Sequence, residues 1–354
     1  MKKIIIFVAN NYTFDSRVQR ESLSLSKKYD VVVWGLTNSK KDKPVEKINS
    51  HLTIKRKYVS WPISNIFIIL FGQKIFKKLV EKDKGDIYHC NDPDTMIAGV
   101  YAKKIYNSKI IYDSHELWSN ISHRHSFIAR IYSYVYSKMY YFLERKYVKY
   151  FDKIITVSEP IKRILEKRYH KSVKLIYNKE NYIKIKNINK QDKAVYVGKI
   201  RTKVLHFSSL LADKLNFNVN IFGFKKYNYD NNINFFGKID PKLFVKYMPY
   251  YKLGLCIYGK DSKSVYLTTP NKLFQYLQYE IPIIAPDYPG LKLIDDFKIG
   301  ETFNINDDFD FIIKAQKIIN NFDFYLKNIQ KIKKKMSWES QEKELFKIYK
   351  FDEI

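Results

Sequence analysis

The chain has 354 residues, 45% apolar and 28% charged, with two cysteines, Cys90 and Cys256. At roughly 150 residues per domain this length predicts two domains with cores of their own, and the composition excludes a disordered chain. Two distant cysteines exclude a disulfide framework and a multi-cysteine metal or cluster site, and favour a reducing cytoplasm. Lys and Arg outnumber Asp and Glu by 64 to 36, a net charge of +28, with 34 basic against 16 acidic residues in 1–175 and 30 against 20 in 176–354. An AT-rich genome accounts for part of this excess. The rest implies an anionic partner: nucleic acid, a membrane surface or a phosphorylated ligand.

MKKIIIFVANN opens with two lysines and a short apolar run that ends in Asn10 and Asn11, so a first β-strand is expected rather than a signal peptide. SRVQRESLSLSKK reads as an amphipathic helix, YDVVVWGL as a strand and IFKKLVEK as a helix. The apolar stretch from Trp61 to Gly72 is short of the ~20 residues a membrane-spanning helix needs. DIYHCND, KIIYDSHE and DKIITVSE read as further strands, alternating with the helices TMIAGVYAKKIY, a long basic and aromatic one, and PIKRILEKRY. Buried strands separated by helices predict a parallel, doubly wound sheet over 1–176.

Residues 177–193 are polar and aperiodic and read as a linker. The pattern then restarts over 194–330 with KAVYVGK, a helix, NVNIFGF, INFFGK, a helix at PKLFVKYMPYY, KLGLCIY, a helix after Pro270 and IPIIAP. A last helical region occupies 331–354. Two Rossmann-like domains facing each other across a cleft are expected, with ligand-binding loops at the carboxyl ends of the strands.

NNYTFDSR stands where a dinucleotide-binding chain would show G-x-G-x-x-G, and no Walker A motif occurs, which removes nicotinamide and flavin oxidoreductases and P-loop NTPases. TTPNKLFQYLQYEIPIIAP is the most informative segment. Thr269 is expected to cap a helix with Pro270 at its first position, and Leu273, Phe274 and Leu277 form its buried stripe. Lys272 then lies in the first turn, where amide N–H groups and an ammonium suit a diphosphate, and Gln275 suits a ribose hydroxyl. An ordinary capped helix with Lys272 in solvent is the alternative.

This segment is similar to the donor-site signature of the group 1, family 4-like glycosyltransferases of GT-B fold. Other pieces resemble the same family in the same order: NYTFDSRVQRESLSLSK, HCNDPDT, IIYDSHELW, IITVSEPIKRIL, AVYVGKIRTK, NINFFGKID and SWESQEKELFKIY. The last resembles the family's C-terminal helix, which crosses back to the first domain. The resemblance implies a donor site of Lys199, Arg201, Lys203, Gly237, Asn271, Lys272 and Gln275. It implies a reaction centre at His115, just after a strand, with Asp113 and Glu116 beside it. Asn11, Asp15 and Arg17 would face the acceptor or the cleft. One departure stands out: where the family commonly carries two glutamates, this chain has Leu267 and Gln275, which leaves the sugar and the stereochemical course open.

Asp92-Pro93-Asp94 resembles a D-x-D metal site, but that site belongs to the other main glycosyltransferase fold, so both carboxylates are expected as turn and N-cap residues of a helix at Thr95. SHELWSNISHRH fails H-E-x-x-H because Ser119 stands at the second histidine position, leaving His123 and His125 without a zinc motif. Ser158 reads as an N-cap. From Asn120 to Tyr150 there are six Lys or Arg, one Glu and nine Phe or Tyr. That composition suits a helix on anionic lipid, single-stranded nucleic acid, or a half-buried helix with tyrosines on the sheet.

The expectation is a bacterial GT-B glycosyltransferase, cytoplasmic and peripheral on the inner face of the cytoplasmic membrane. It would need neither metal nor cofactor and would take a nucleotide sugar as substrate, UDP-linked ahead of GDP-linked. The expected acceptor is a lipid-linked or surface glycan of capsule, O-antigen or lipopolysaccharide type, with an anionic inner-membrane surface as partner and no nucleic acid. The alternatives are a nucleic-acid-binding protein, prompted by the charge, and a GT-B sugar epimerase.

Overall fold

The computed structural model describes residues 1–63, 67–120, 127–186, 188–199, 201–223, 232–237, 245–260 and 262–351. The chain divides into two compact units: Met1–Tyr177 with Ser262–Ser264 and Glu342–Ile354, and Asn178–Asp261 with Val265–Gln341.

The first unit is built on β1 (Lys3–Phe7), β2 (Asp30–Thr37), β3 (Val45–Asn49), β4 (Leu52–Tyr58), β5 (Ile87–Asn91), β6 (Lys109–Ser114), β7 (Lys153–Thr156) and β8 (Val173–Leu175). They form one sheet in the order β3-β4-β2-β1-β5-β6-β7-β8, parallel except for the β3–β4 pair. The central strands are apolar on both faces because helices cover both: α1 (Ser16–Leu25), α2 (Gln73–Lys82), α3 (Asp92–Tyr106), α4 (Phe127–Tyr147) and α5 (Glu159–Tyr169). A π-helical turn, Ile68–Gly72, leads into α2. Helix α3 begins at Asp92, three residues before the expected start at Thr95, and its N-cap is Asn91. Ser158 caps α5 as expected, accepting from the Ile161 N–H.

The second unit is built on β9 (Gln191–Val197), β10 (Asn218–Phe222), β11 (Ile233–Gly237), β12 (Tyr251–Leu255), β13 (Ile283–Pro286) and β14 (Gly300–Phe303). They form a parallel sheet in the order β11-β10-β9-β12-β13-β14. Helices of this part of the chain among the described residues include α6 (Thr202–Leu215), α7 (Lys263–Leu267), α8 (Asn271–Gln278), α9 (Leu293–Asp296), α10 (Asp308–Asn320) and α11 (Phe322–Lys333). Phe207, Phe303 and Phe311 pack with ring centroids 4.6–4.9 Å apart and tie α6 and α10 to the sheet. The helix expected at PKLFVKYMPYY lies partly outside the described residues.

Among the described residues of 178–190 there is no helix or strand, yet the segment belongs to the second unit. Its Asn178 Nδ2 donates to Asn271 Oδ1 (2.6 Å) and its Lys190 Nζ to the Tyr279 carbonyl (2.9 Å). The last helix, α12 (Trp338–Tyr349), carries the chain back, and from Glu342 onward it belongs to the first unit. No helix among the described residues is long and apolar enough to cross a membrane.

Candidate functional site

In the first unit the chemistry gathers at the carboxyl ends of β5 and β6, where Asn91 and Asp113 are register partners. Asp113 is fully buried. Arg17, from the first turn of α1, clamps it with Nε 2.9 Å from Oδ2 and Nη2 3.1 Å from Oδ1, and its Nη1 donates to the Ile176 carbonyl. The fork-to-carboxylate geometry is the strong, bidentate kind. Although burial opposes its charge, Arg17 and then His115 hold the Asp113 carboxyl well below the usual range.

His115 leaves β6 directly. Its Nε2 lies 3.1 Å from Asp113 Oδ2 and its Nδ1 3.4 Å from Asp92 Oδ2, while its backbone N–H donates to Asp92 Oδ1 at 3.0 Å. The Trp118 indole N–H donates to the same Asp92 oxygen at 2.6 Å. Burial works against a charged imidazole, but Asp92 and then Asp113 outweigh it and push the His115 pKa up to about 10. The ring is therefore a fixed imidazolium at neutral pH. Solvent reaches the neighbouring Glu116, yet the protein packed around it and then the Asp92 charge push its carboxyl up to about 7.

These facts correct several expectations. Asp113 is a fully buried counter-ion to Arg17 and His115. Arg17, expected to face the acceptor, is 3% exposed and spent on Asp113, Glu21 and the Ile176 carbonyl. Asp15 caps α1 through the Val18 N–H (3.1 Å) and accepts from Asn10 Nδ2 (2.9 Å). Asn11 orders the same loop, donating to Asp42 Oδ2 and accepting at its carbonyl from Arg56 Nε. Neither Asp92 nor Asp94 caps α3. Asp92, at φ +60°, binds His115 and Trp118, and Asp94 accepts from the Tyr140 hydroxyl. Both carboxylates are thus engaged by protein donors. His123 and His125 lie outside the described residues.

Sequence reasoning missed the groups behind Asp113. Glu21, His89 and Asp113 bring possible ligand atoms within 4.8 Å of one another, all buried. The Arg17 guanidinium already pairs with both carboxylates, at 3.0 and 2.9 Å.

In the second unit several of the residues expected at an anion site lie near the carboxyl ends of β9 and β12. Helix α8 starts at Asn271 with Pro270 as N-cap and no side-chain cap, and α6 starts after Arg201, also without one. Thr269 does not cap; its hydroxyl donates to the Gly290 carbonyl at 2.8 Å. Amide N–H groups at two helix N-termini are thus without side-chain acceptors, the arrangement that suits phosphate.

Lys272, second residue of α8, places Nζ 4.0 Å from the Tyr196 ring centre and 4.5 Å from that of Tyr258. Burial lowers its pKa to about 8, and the Arg201 charge contributes in the same direction. Lys199 is exposed, and its carbonyl accepts from the Tyr196 hydroxyl (2.8 Å). The Lys203 ammonium donates to the Ile305 carbonyl at 2.9 Å. Gln275 is half-buried one turn into α8, Leu267 is buried, and Gly237 ends β11 at φ +63° with its carbonyl accepting from Gly223.

The basic aromatic stretch forms α4, and Arg124 lies outside the described residues. Ile131, Val135, Lys138, Phe142 and Arg145 recur at helical spacing and are all exposed, with Lys149 continuing the stripe past the helix end. The opposite face buries Tyr136, Tyr140 and Leu143 against Ile69. Between the two runs an apolar groove of about 420 Å³, lined by Ile69, Tyr134, Val135, Met139 and Phe142 among others. The tyrosines are thus divided between core and surface.

A family model, Glycosyltransferase Family 4, matches residues 18–178. Among solved structures the chain is similar to the sucrose-phosphate synthase of Thermosynechococcus elongatus, at 14% identity and a TM-score of 0.76 over 99% of this chain and 98% of that one. It is similar to the lipopolysaccharide outer core galactosyltransferase WaaB in its apo form, at 14% identity and a TM-score of 0.62 over 98% of each chain. It is also similar to HepE of Anabaena in complex with UDP and glucose, at 12% identity and a TM-score of 0.62 over 98% of this chain and 99% of that one. Identities this low speak to the fold, which is GT-B. No curated protein sequence matches the chain.

Proposed function

We propose, from the premise that this is a GT-B glycosyltransferase whose first unit is of the family 4 type, that it moves a sugar from a nucleoside-diphosphate sugar to a lipid-linked or surface-glycan acceptor. The observation that carries the donor half is the Lys272 ammonium, held between two tyrosine rings at an uncapped helix N-terminus with the Arg201 charge acting on it. When the bond from the anomeric carbon to the diphosphate oxygen breaks, negative charge grows on the leaving group. Preorganised cations and amide dipoles stabilise that charge without a metal. Gln275 is the group for a ribose hydroxyl, and the loop that begins at Gly237 is the one for the base. UDP is the preferred nucleotide; HepE, of the same fold, binds UDP with glucose.

The first unit contributes a fixed cation and a titratable carboxyl. His115, protonated at neutral pH, donates to an oxygen of the sugar or phosphate and does not serve as base. If the acceptor hydroxyl must lose its proton to a side chain, Glu116, raised to about 7, is the group suited to take it. Capsule, O-antigen or lipopolysaccharide-type glycans are the acceptor class we favour, with the protein peripheral on the cytoplasmic side of a bacterial membrane. The exposed stripe of α4 supports the membrane part, since its charged members Lys138 and Arg145 are both cations. Incubation with a panel of UDP- and GDP-sugars, followed by detection of released nucleotide, tests the reading. Slow hydrolysis of one UDP-sugar is expected, and a protein inert to every member of the panel would overturn it.

A further inference from the structure

We propose that Tyr349, on the returning helix α12, is a positioning residue for the His115 centre and acts through His89. The two residues are 260 positions apart in sequence and both belong to the first unit. His89 lies on β5, fully buried, and its Nδ1 is in hydrogen-bond contact with the Tyr349 hydroxyl; the rings stack with centroids 6.1 Å apart. Burial holds the phenol protonated, and because Nε2 is the nitrogen turned toward the buried carboxylates, the arrangement assigns the phenol O–H as donor and Nδ1 as acceptor. His89 then presents an N–H at Nε2.

That proton faces the buried carboxylates. His89 Nε2 lies 3.6 Å from Asp113 Oδ2 and 3.9 Å from Glu21 Oε2, with no nearer partner. Asp113 Oδ2 is the same oxygen that His115 Nε2 meets at 3.1 Å. A hydroxyl on the last helix thus determines which nitrogen of His89 is presented to the oxygen that orients His115.

Arg17 from α1 and His115 are the cations here; Asp113 and, on the far side of His115, Asp92 are negative. Glu21, whose carboxyl burial pushes up, lies 3.0 Å from Arg17 Nη2, and the Tyr29 ring lies beside Tyr349. Glu116 flanks His115 from the solvent side. Without the Tyr349 hydroxyl, His89 Nδ1 is left with no donor in a sealed site. Nε2 then no longer has its proton fixed toward Asp113 Oδ2, the oxygen that also meets His115 Nε2, and the hold of Asp113 on the His115 proton changes.

The role rests on the reading of His115 as part of the reaction centre, whereas the following measurement needs no reaction. The full chain is labelled in its seven histidines and titrated by NMR, with His115 assigned from the signal lost in His115→Gln. Tyr349→Phe is expected to shift the His115 midpoint by about one unit or more. The same change on a His89→Gln background is expected to leave the midpoint where His89→Gln alone puts it. Leu345→Ala, at a buried position of the same helix, is expected to lower the melting temperature without moving the midpoint. A His115 midpoint unchanged by Tyr349→Phe, or moved as far by Leu345→Ala, would overturn the proposal. In turnover, kcat for donor hydrolysis should fall about tenfold with KM unchanged. A shifted midpoint with unaltered kcat would keep the Tyr349–His89 link and remove His115 from the reaction.

Discussion

A Cβ placed on Gly198 would lie 3.2 Å from Lys272 Cε and 3.4 Å from its Nζ, so the absence of a side chain at Gly198 is what lets the ammonium settle against Tyr196. Gly198 also has φ +129°, a backbone conformation that L residues rarely adopt. Gly198→Ala is expected to cost about 1–3 kcal/mol in strain and to displace Lys272. Thermal melting should show the loss, and UDP binding should weaken with it. A variant that melts lower but binds UDP as before would separate the glycine from the anion site.

His115→Gln removes the imidazolium and keeps most of the ring's polar contacts. Loss of one preorganised donor typically lowers turnover by roughly a hundredfold, and nucleotide affinity should hold, since the group belongs to the other unit. Its folded pKa of about 10 stands above the ordinary 6.5, so the stabilisation is complete below about 6.5 and is lost as pH rises through about 10. Melting temperature against pH should therefore decline less steeply on the alkaline side in His115→Gln. Parallel curves would mean that the proton is not held as described.

Much of the fold was legible because the central strands are apolar on both faces, as in Ile4–Phe7 and Val31–Leu36. The β3 strand was not, since VEKIN is an exposed edge with charges on it. At the proposed donor site, the place of Lys272 in the first helical turn was legible from the Pro270 helix start, whereas the Tyr196 and Tyr258 rings beside it come from two other strand ends. Arg17 was misplaced for the same reason: its partner Asp113 is 96 residues away, and a cation after a strand reads as a ligand-facing group until that partner is known. Asp92 and Asp94 look like caps in sequence, but the groups they serve, His115, Trp118 and Tyr140, arrive from later elements.

The α4 stripe predicts reversible attachment to anionic bilayers. Lys138, Arg145 and Lys149 share the face with Ile131, Val135 and Phe142, and at about 1 kcal/mol per basic residue they contribute about 3 kcal/mol. Sedimentation with phosphatidylglycerol vesicles should carry the protein down, neutral vesicles less so, and salt should release it. Replacing the three cations by Gln should abolish the difference. Equal binding to both lipids would point to the apolar groove alone.

Asp92, Asp94 and Asp113 are all committed to protein partners, so transfer is expected to survive EDTA at full rate. The check is product formation before and after chelation, with manganese added back. Restoration by manganese would require a metal site elsewhere in the chain.

Titration calorimetry of the wild type and Lys272→Ala with UDP addresses the donor site directly. A charge-assisted contact is worth ~1.5–3 kcal/mol, so the variant should bind roughly ten- to a hundredfold more weakly while melting close to the wild type. Because burial holds the free amine at about 8, binding near that pH should also take up protons, seen as an enthalpy that depends on the buffer and loses that dependence in the variant. Undiminished affinity in Lys272→Ala would place the nucleotide away from this helix and contradict the account.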